Sequence, residues 1–389
     1  MKKAPKLILL ILLALLLVAE ICFAANLLPF GPADLIPTEP PTEPPTEAPT
    51  EPPTEPPTEA PTEPPTEAPT DPPDVHYTLS FVGDCTLGTY KDKWYSGYGF
   101  ILKVGEDYDY PFANVREIFE NDDLTIANLE GVLADKGGSA ASKTFTFRGP
   151  TAYTQILTGS SVEAVTLANN HTMDYGDAGY ASTKKVLEEA GVNFAEEYGS
   201  SIMTLDGGMK VALYALNDVL YPVKEKQVTE DIQKLKEEGA ELIIVAIHWG
   251  NEGEYRPTER QEKLGKMLID AGANIVYGHH PHVLQHIEQY NEGIIYYSMG
   301  NFCFGGHTNP RDKDSVIIQQ EVIQSFDGSV RLGQIALIPC SISSTDERNN
   351  YQPTPCEPDS EMYKRVMEKV TGSFDGKNLV VDYSYFHNS

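Results

Sequence analysis

Four of the nine histidines in this 389-residue chain fall in two short stretches, His248-Trp249-Gly250 and Gly278-His279-His280-Pro281-His282. Each follows an apolar run that reads as a buried strand, 242–247 before the first and 274–277 before the second. Imidazoles at the ends of neighbouring strands are a rigid way to hold a metal ion. The same placement recurs along the chain. Gly83-Asp84 follows Phe81-Val82, and Asn128-Leu129-Glu130 follows Ile126-Ala127. Asn169-Asn170-His171 and then Asp174 follow Thr166-Leu167, Glu252 comes four residues after His248, and Gly300-Asn301 follows Tyr296-Tyr297. Taken singly, a Gly-Asp pair is usually a turn, Asn-Asn-His commonly caps a loop, and His248 beside Trp249 reads as readily as a packed interior histidine. Taken together, six strand ends deliver Asp, Glu, Asn and His to what could be one rim, where sheets of this kind place their ligands. Mixed carboxylate, amide and imidazole donors suit one or two divalent ions such as Mn, Zn or Fe, and not a thiolate site.

The elements that must position these residues are short β-rich runs alternating with amphipathic helical ones. Strands are expected at 78–82, 124–127, 162–167, 211–216, 242–247, 274–277 and 294–297, and helices at 112–120, 178–190, 230–238 and 259–271. In the last helix Leu264, Met267, Leu268 and Ala271 recur at i, i+3, i+4 and i+7, one buried face. Gly191, Gly239 and Gly272 stand where C-terminal caps belong. Segments 315–323 and 330–338 read as a hairpin around Asp327-Gly328. Strands alternating with helices indicate an α/β fold.

Composition bounds the partners. The net charge is −28, and nine of the acids lie in 38–73, which contains no Lys or Arg. The remaining body is still acidic, so nucleic acid is not an expected partner. None of the five cysteines forms a CxxC pair, and Cys340 and Cys356 could pair if the body is exported. Lys2, Lys3 and Lys6 precede an apolar run, 7–19, the layout of an export signal or an N-terminal membrane anchor over 1–28. The positive-inside bias then places the body on the extracytoplasmic face of the cell membrane, or outside the cell if the signal is cleaved. Residues 38–73 are nine tetrads of Thr-Glu-Pro-Pro type within a spacer over 29–76. Proline at this density favours extended polyproline II, a spacer on the order of 110 Å at full reach. The body is expected at 77–345, with an extension at 346–389.

The motifs Phe81-Val82-Gly83-Asp84, Ala127-Asn128-Leu129-Glu130-Gly131, Leu167-Ala168-Asn169-Asn170-His171-Thr172-Met173-Asp174-Tyr175-Gly176, His248-Trp249-Gly250-Asn251-Glu252, Gly278-His279-His280-Pro281-His282 and Tyr297-Ser298-Met299-Gly300-Asn301-Phe302 occur in the order seen in one family. Over about residues 77 to 305 the chain resembles the capsule synthesis (CapA) family of poly-γ-glutamate capsule proteins, whose domain is similar to calcineurin-like metallophosphatases. The resemblance implies an α-β-β-α sandwich with two central mixed sheets. It implies metal ligands at Asp84, Glu130, Asn170, His248, His280 and His282, with Asn128, Glu252, His279 and Asn301 as further candidates. It casts His171 as the proton donor to the leaving group and Asp174 as the residue that orients its ring. Thr86 stands where the wider pattern has a histidine, and the Asn128/Glu130 pair stands where it has a bridging aspartate. The partners implied are an anionic surface polymer, the membrane subunits of a capsule synthase, and the membrane through the N-terminal segment. The implied activity is metal-dependent hydrolysis in polymer assembly, anchoring or release. The alternatives are a non-catalytic scaffold that binds polymer or synthase, and a stand-alone envelope phosphoesterase.

Overall fold

A computed structural model describes residues 72–90, 97–136 and 140–375. The expected export segment, and nearly all of the expected spacer, lie outside these residues. Among the described residues no helix is long and apolar enough to cross a membrane.

Two large mixed sheets form the body. The first runs in the order β17 (Thr354–Pro355), β16 (Val330–Ser341), β15 (Asp314–Gln324), β1 (Val75–Thr86), β3 (Leu124–Leu129), β6 (Ala164–Thr166) and β7 (Asn193–Ala195), with β14 (Asn301–Phe304) also paired to β1. The second runs β12 (Ile287–Tyr290), β13 (Gly293–Tyr296), β11 (Ile275–His279), β10 (Leu242–His248), β9 (Lys210–Asn217) and β8 (Ser200–Thr204). The centre of each sheet is parallel: β1 with β3 and β3 with β6 in one, β9 with β10 and β10 with β11 in the other. Antiparallel strands close both edges of the second sheet and the β15–β17 edge of the first, whose other edge strand, β7, runs parallel to β6. A small third sheet, β2 (Thr89–Tyr90), β5 (Phe147–Gly149) and β4 (Val132–Leu133), lies apart from them.

Side-chain alternation explains the layers. In β10, Leu242, Ile244 and Ala246 enter a core shared with Leu79 and Phe81 of β1 and Ile126 of β3. Ile243, Val245 and Ile247 point the other way, onto Ile232 of helix Glu225–Glu237 and Leu264 and Leu268 of helix Glu259–Ala271. A strand covered on both faces has no polar positions, hence the unbroken apolar run in the sequence. The outer face of the first sheet, with Val82, Ala127 and Val165, is covered by Phe119, Ile156 and Leu187 of three helices. This is the expected sandwich of two central mixed sheets with helices outside.

The seven expected strands are present, and the hairpin at 315–338 forms as β15 and β16. Helix Glu259–Ala271 has its expected bounds, with a Thr258–Gln261 capping box and Gly272 in a left-handed conformation. The helix expected at 112–120 contracts to Arg116–Glu120; Phe112 and Val115 stay buried, but in turns. Two expected boundaries move. β1 opens at Val75, inside the expected spacer. The expected extension from residue 346 is joined to the body, since β17 pairs with β16 and helix Glu361–Val370 places Val366 and Val370 in the core between the sheets. The described cysteines, Cys340 and Cys356 among them, are free thiols.

Candidate metal centre

The parallel strands end at one edge, and the strand-end residues meet there. Asp84 is near the end of β1, Asn128 near the end of β3, His248 ends β10, His279 ends β11, and Asn301 opens β14. Two glycines allow the close approach. A Cβ on Gly83 would lie 2.2 Å from the Gly300 carbonyl oxygen, and the neighbouring Asp84 N–H donates to that carbonyl at 2.8 Å. A Cβ on Gly278 would lie 2.2 Å from the Tyr297 carbonyl oxygen. After β11 the chain folds so tightly that His280 and His282 adopt φ of 94° and 57°. Positive φ is costly for a residue with a Cβ, and such strain concentrates at functional sites.

The first cluster joins Asp84, Glu130 and His282, whose ligand-type atoms all lie within 4.8 Å of one another. Asp84 Oδ2 is 3.1 Å from His282 Nδ1, and Asp84 Oδ1 is 3.1 Å from His279 Nδ1. Asn128 Nδ2 donates to Asp84 Oδ1 at 2.8 Å and Asn128 Oδ1 accepts from Asn169 at 3.1 Å, so Asn128 orients the carboxylate. Asn301 plays the same part for His282: its Oδ1 is 3.0 Å from Nδ1, and its Nδ2 donates to the His282 carbonyl at 3.0 Å. The second cluster joins Glu252, His280 and His282, again within 4.8 Å. The His248 and His280 rings are 4.7 Å apart, and His248 Nε2 is 3.0 Å from Asn170 Oδ1.

Glu130, of the first cluster, also faces His171 and His248. Its Oε1 is 3.7 Å from His171 Nε2, 3.8 Å from His282 Nε2 and 4.0 Å from His248 Nε2. Both its oxygens are buried without a hydrogen-bond partner. Burial pushes this carboxyl up to about 8; His282 opposes the shift, and Asp84 and Glu252 add to it. Burial also opposes ionisation of Asp84, but His279 and His282 hold it well below the usual carboxylate range. Burial would lower His282, yet Glu130 and Asp84 raise it to about 10. Burial and the charge of His282 push His280 down to about 3. Buried carboxylate oxygens without donors, beside imidazole nitrogens such as Nδ1 of His248 and Nδ1 of His280 that also lack partners, form a donor set that fits a divalent cation.

His171 lies at the mouth. Its Nδ1 is 2.8 Å from Asp174 Oδ2, which leaves Nε2 facing Glu130. Asp174 also accepts from the Phe147 N–H at 2.5 Å and pairs with Lys143 Nζ at 2.5 Å. Burial holds His171 below its usual value, with Asp174 opposing. A cavity of about 80 Å³ lined by Lys143, Phe147, Asn170, His171, Glu252 and His282 opens onto the centre. A larger cleft of about 760 Å³, with Asp218, Glu254, Arg260 and His280 in its wall, shares Glu252 with that cavity.

All twelve residues singled out in the sequence lie in or against this centre. Asn128 and Asn301 orient their neighbours, and Glu252, ranked only as a further candidate, joins a ligand cluster. Thr86 is buried and its hydroxyl has no partner. Sequence reasoning missed Lys143, whose Nζ also donates to the Asn170 carbonyl at 2.8 Å, and Phe147, whose ring is 4.2 Å from that of His171. Lys143 stands in an irregular segment away from any strand end, where nothing in the pattern marks it.

The family model described as bacterial capsule synthesis protein PGA_cap matches residues 78–306. Capsule biosynthesis protein CapA of Bacillus anthracis is 32% identical over 268 residues, 62% of this chain and 63% of that one. PGA biosynthesis protein CapA of Bacillus subtilis (strain 168) is 29% identical over 314 residues, 75% of this chain and 77% of that one. The match thus spans a little under two thirds of the B. anthracis relative's length. The solved structure of Haemophilus influenzae NAD nucleotidase (NadN) aligns at 12% identity with a TM-score of 0.39, covering 77% of this chain and 63% of that one. With its matched stretch holding every strand-end residue of the buried centre, this chain belongs to the bacterial capsule synthesis protein family.

Proposed function

We propose that this chain is an exported, membrane-tethered capsule synthesis protein and a metal-dependent hydrolase acting on an anionic surface polymer such as poly-γ-glutamate. The step served is assembly, anchoring or release of that polymer. The relatives named for capsule and PGA biosynthesis support the process. The basic start and apolar run of the N-terminus support export, and the Thr/Glu/Pro repeats suit a body held away from the membrane.

The observation that carries hydrolysis is the His171–Asp174 pair set against Glu130. Asp84, Glu130 and His282 would hold one divalent ion, and Glu252, His280 and His282, with Asn170 and His248 beside them, would serve a second position. When bound, such an ion supplies Lewis acidity and makes water a stronger nucleophile. His171 delivers a proton from Nε2 to the leaving group, with Asp174 fixing the tautomer through Nδ1. Lys143, partly exposed at the mouth, offers a positive charge to a carboxylate or phosphate of the substrate. Against an acidic chain of net charge −28, bound cations and Lys143 are the groups that would draw an anionic polymer in.

The second reading, a scaffold that binds polymer or synthase without turnover, draws on Thr86, which supplies no imidazole where the wider pattern has one. The test takes the full-length protein in detergent, loads it with Mn(II) or Zn(II), and assays γ-glutamyl and phosphodiester cleavage beside His171→Ala. Cleavage of γ-glutamyl bonds that needs metal and His171 supports the hydrolase. Metal uptake with no turnover of either substrate selects the scaffold, and phosphodiester cleavage alone selects an envelope phosphoesterase.

A further inference from the structure

Beyond the family-matched stretch the chain buries a charged network. Lys369, on helix Glu361–Val370, has no solvent-exposed side-chain surface. Its Nζ is 2.6 Å from Asp312 Oδ2 and 2.6 Å from Asp314 Oδ2. Arg365, one turn earlier, donates to both oxygens of Asp314 at 2.7 and 2.6 Å. Two cations face two anions, the arrangement that makes burying a lysine tolerable.

The network reaches toward the metal centre through Tyr255. Tyr255 OH donates to Asp312 Oδ2 at 2.8 Å, and the Lys369 ammonium lies 4.8 Å from the Tyr255 ring centre. Phe374 packs edge-on to Tyr255 with ring centres 4.9 Å apart. Tyr255 is three residues from Glu252, in an irregular segment between β10 and helix Glu259–Ala271. Glu252 differs from the other members of the ligand clusters. They stand on strands, beside strand ends or in the tight His280–His282 turn, whereas Glu252 stands on a loop that must be held by its own contacts. Those contacts include the Gly253 N–H to the Pro281 carbonyl at 2.9 Å, Gln285 Nε2 to the Glu254 carbonyl at 2.7 Å, and Tyr255 to Asp312.

We propose that Lys369, acting through Asp312 and Tyr255, is a positioning residue for the metal centre, bracing the loop that presents Glu252. The C-terminal helix is then part of the centre's scaffold. This rests on the reading of Glu252 as a metal ligand. Losing a group that orients a ligand typically costs about 10- to 100-fold in metal affinity.

The test measures Mn(II) affinity of the full-length protein by competition with a chelator, alongside hydrogen exchange at the Gly253 amide. Lys369→Met leaves two buried carboxylates facing Arg365 and can fail to fold, so Tyr255→Phe is the deciding variant. Arg365→Met is the control, because it disturbs the network without touching Tyr255. Tyr255→Phe is expected to weaken Mn(II) roughly tenfold and to speed Gly253 exchange, with Arg365→Met near native in both. Glu252→Gln weakening Mn(II) while Tyr255→Phe leaves affinity and exchange unchanged overturns the brace, as does an equal loss in Arg365→Met. Unchanged affinity in Glu252→Gln refutes the ligand reading instead. Gly253 exchange reads the loop directly, so it decides the brace even if the native protein takes up no Mn(II).

Discussion

Asp84 Oδ2 lies 3.1 Å from His282 Nδ1, and the two residues come from different sheets, Asp84 from β1 and His282 from the turn after β11. The centre therefore exists only when the sandwich is closed. Beneath it, Tyr277 of β11 donates its hydroxyl to the Val82 carbonyl of β1 and to the Ile126 carbonyl of β3, the latter at 3.0 Å. Register between the sheets and geometry of the centre are one problem, solved by the same few strands.

His248 tests the ligand set. It is buried, ends β10, and faces both Asn170 and His280. His248→Ala removes an imidazole without removing a strand, so the fold should persist while metal content falls below that of the native protein. Elemental analysis after dialysis gives the stoichiometry. Unchanged metal in the variant would refute the assignment of His248.

Asp174 tests proton delivery. Asp174→Asn keeps the size of the side chain but puts an amide donor either in place of Oδ2, which faces both His171 Nδ1 and the Phe147 N–H, or in place of Oδ1, which pairs with Lys143. Turnover should fall on the order of a hundredfold while metal content stays native. Loss of metal together with turnover would show instead that Asp174 shapes the whole centre. Lys143→Met should raise KM for an anionic substrate more than it lowers kcat, and the rise should shrink at high salt.

Tyr277→Phe tests the tie between the sheets. It leaves the ring, 5.1 Å from that of Phe81, and removes only the hydroxyl. Two buried carbonyls then lose a donor, so unfolding in urea should show a loss of about 1–3 kcal/mol. A loss near zero would mean that strand pairing alone satisfies those carbonyls.

How much of this was legible depended on burial and spacing. Strands such as β10 announce themselves because both faces are covered, and most of the candidate ligands stand at or beside the ends of strands. The third sheet was invisible because strands of two or three residues, Thr89–Tyr90 among them, carry no period. Lys143 was invisible because its partners Asp174 and Asn170 lie about thirty residues on and meet it only in the fold. Lys369 lies in the expected extension, where nothing in the sequence marks it; its burial follows from Asp312 and Asp314, more than fifty residues earlier. Periodicity reports what one element does to itself, and these residues are placed by what other elements do to them.

Asp122 gives a pH prediction independent of the metal. It precedes β3, accepts from the Thr125 hydroxyl at 2.7 Å, and lies near Glu163 and Asp123. Burial pushes its carboxyl up to about 7, against hydrogen bonds from Ser80 and Thr125, and the two neighbouring acids add to the rise. The folded state thus holds this proton more tightly than the unfolded chain, where an aspartate titrates near ~3.9. The stabilising contribution is complete below about pH 4 and is lost as pH rises through about 7. Asp122→Asn keeps an acceptor for Thr125 and cannot ionise. It should raise stability at pH 8 on the order of 1 kcal/mol, a figure discounted for solvent screening at a partly exposed carboxyl, with little difference at pH 4. Urea unfolding of both proteins at pH 4, 6 and 8 checks the sign. A variant less stable than native at pH 8 would mean that Asp122 is held charged in the fold.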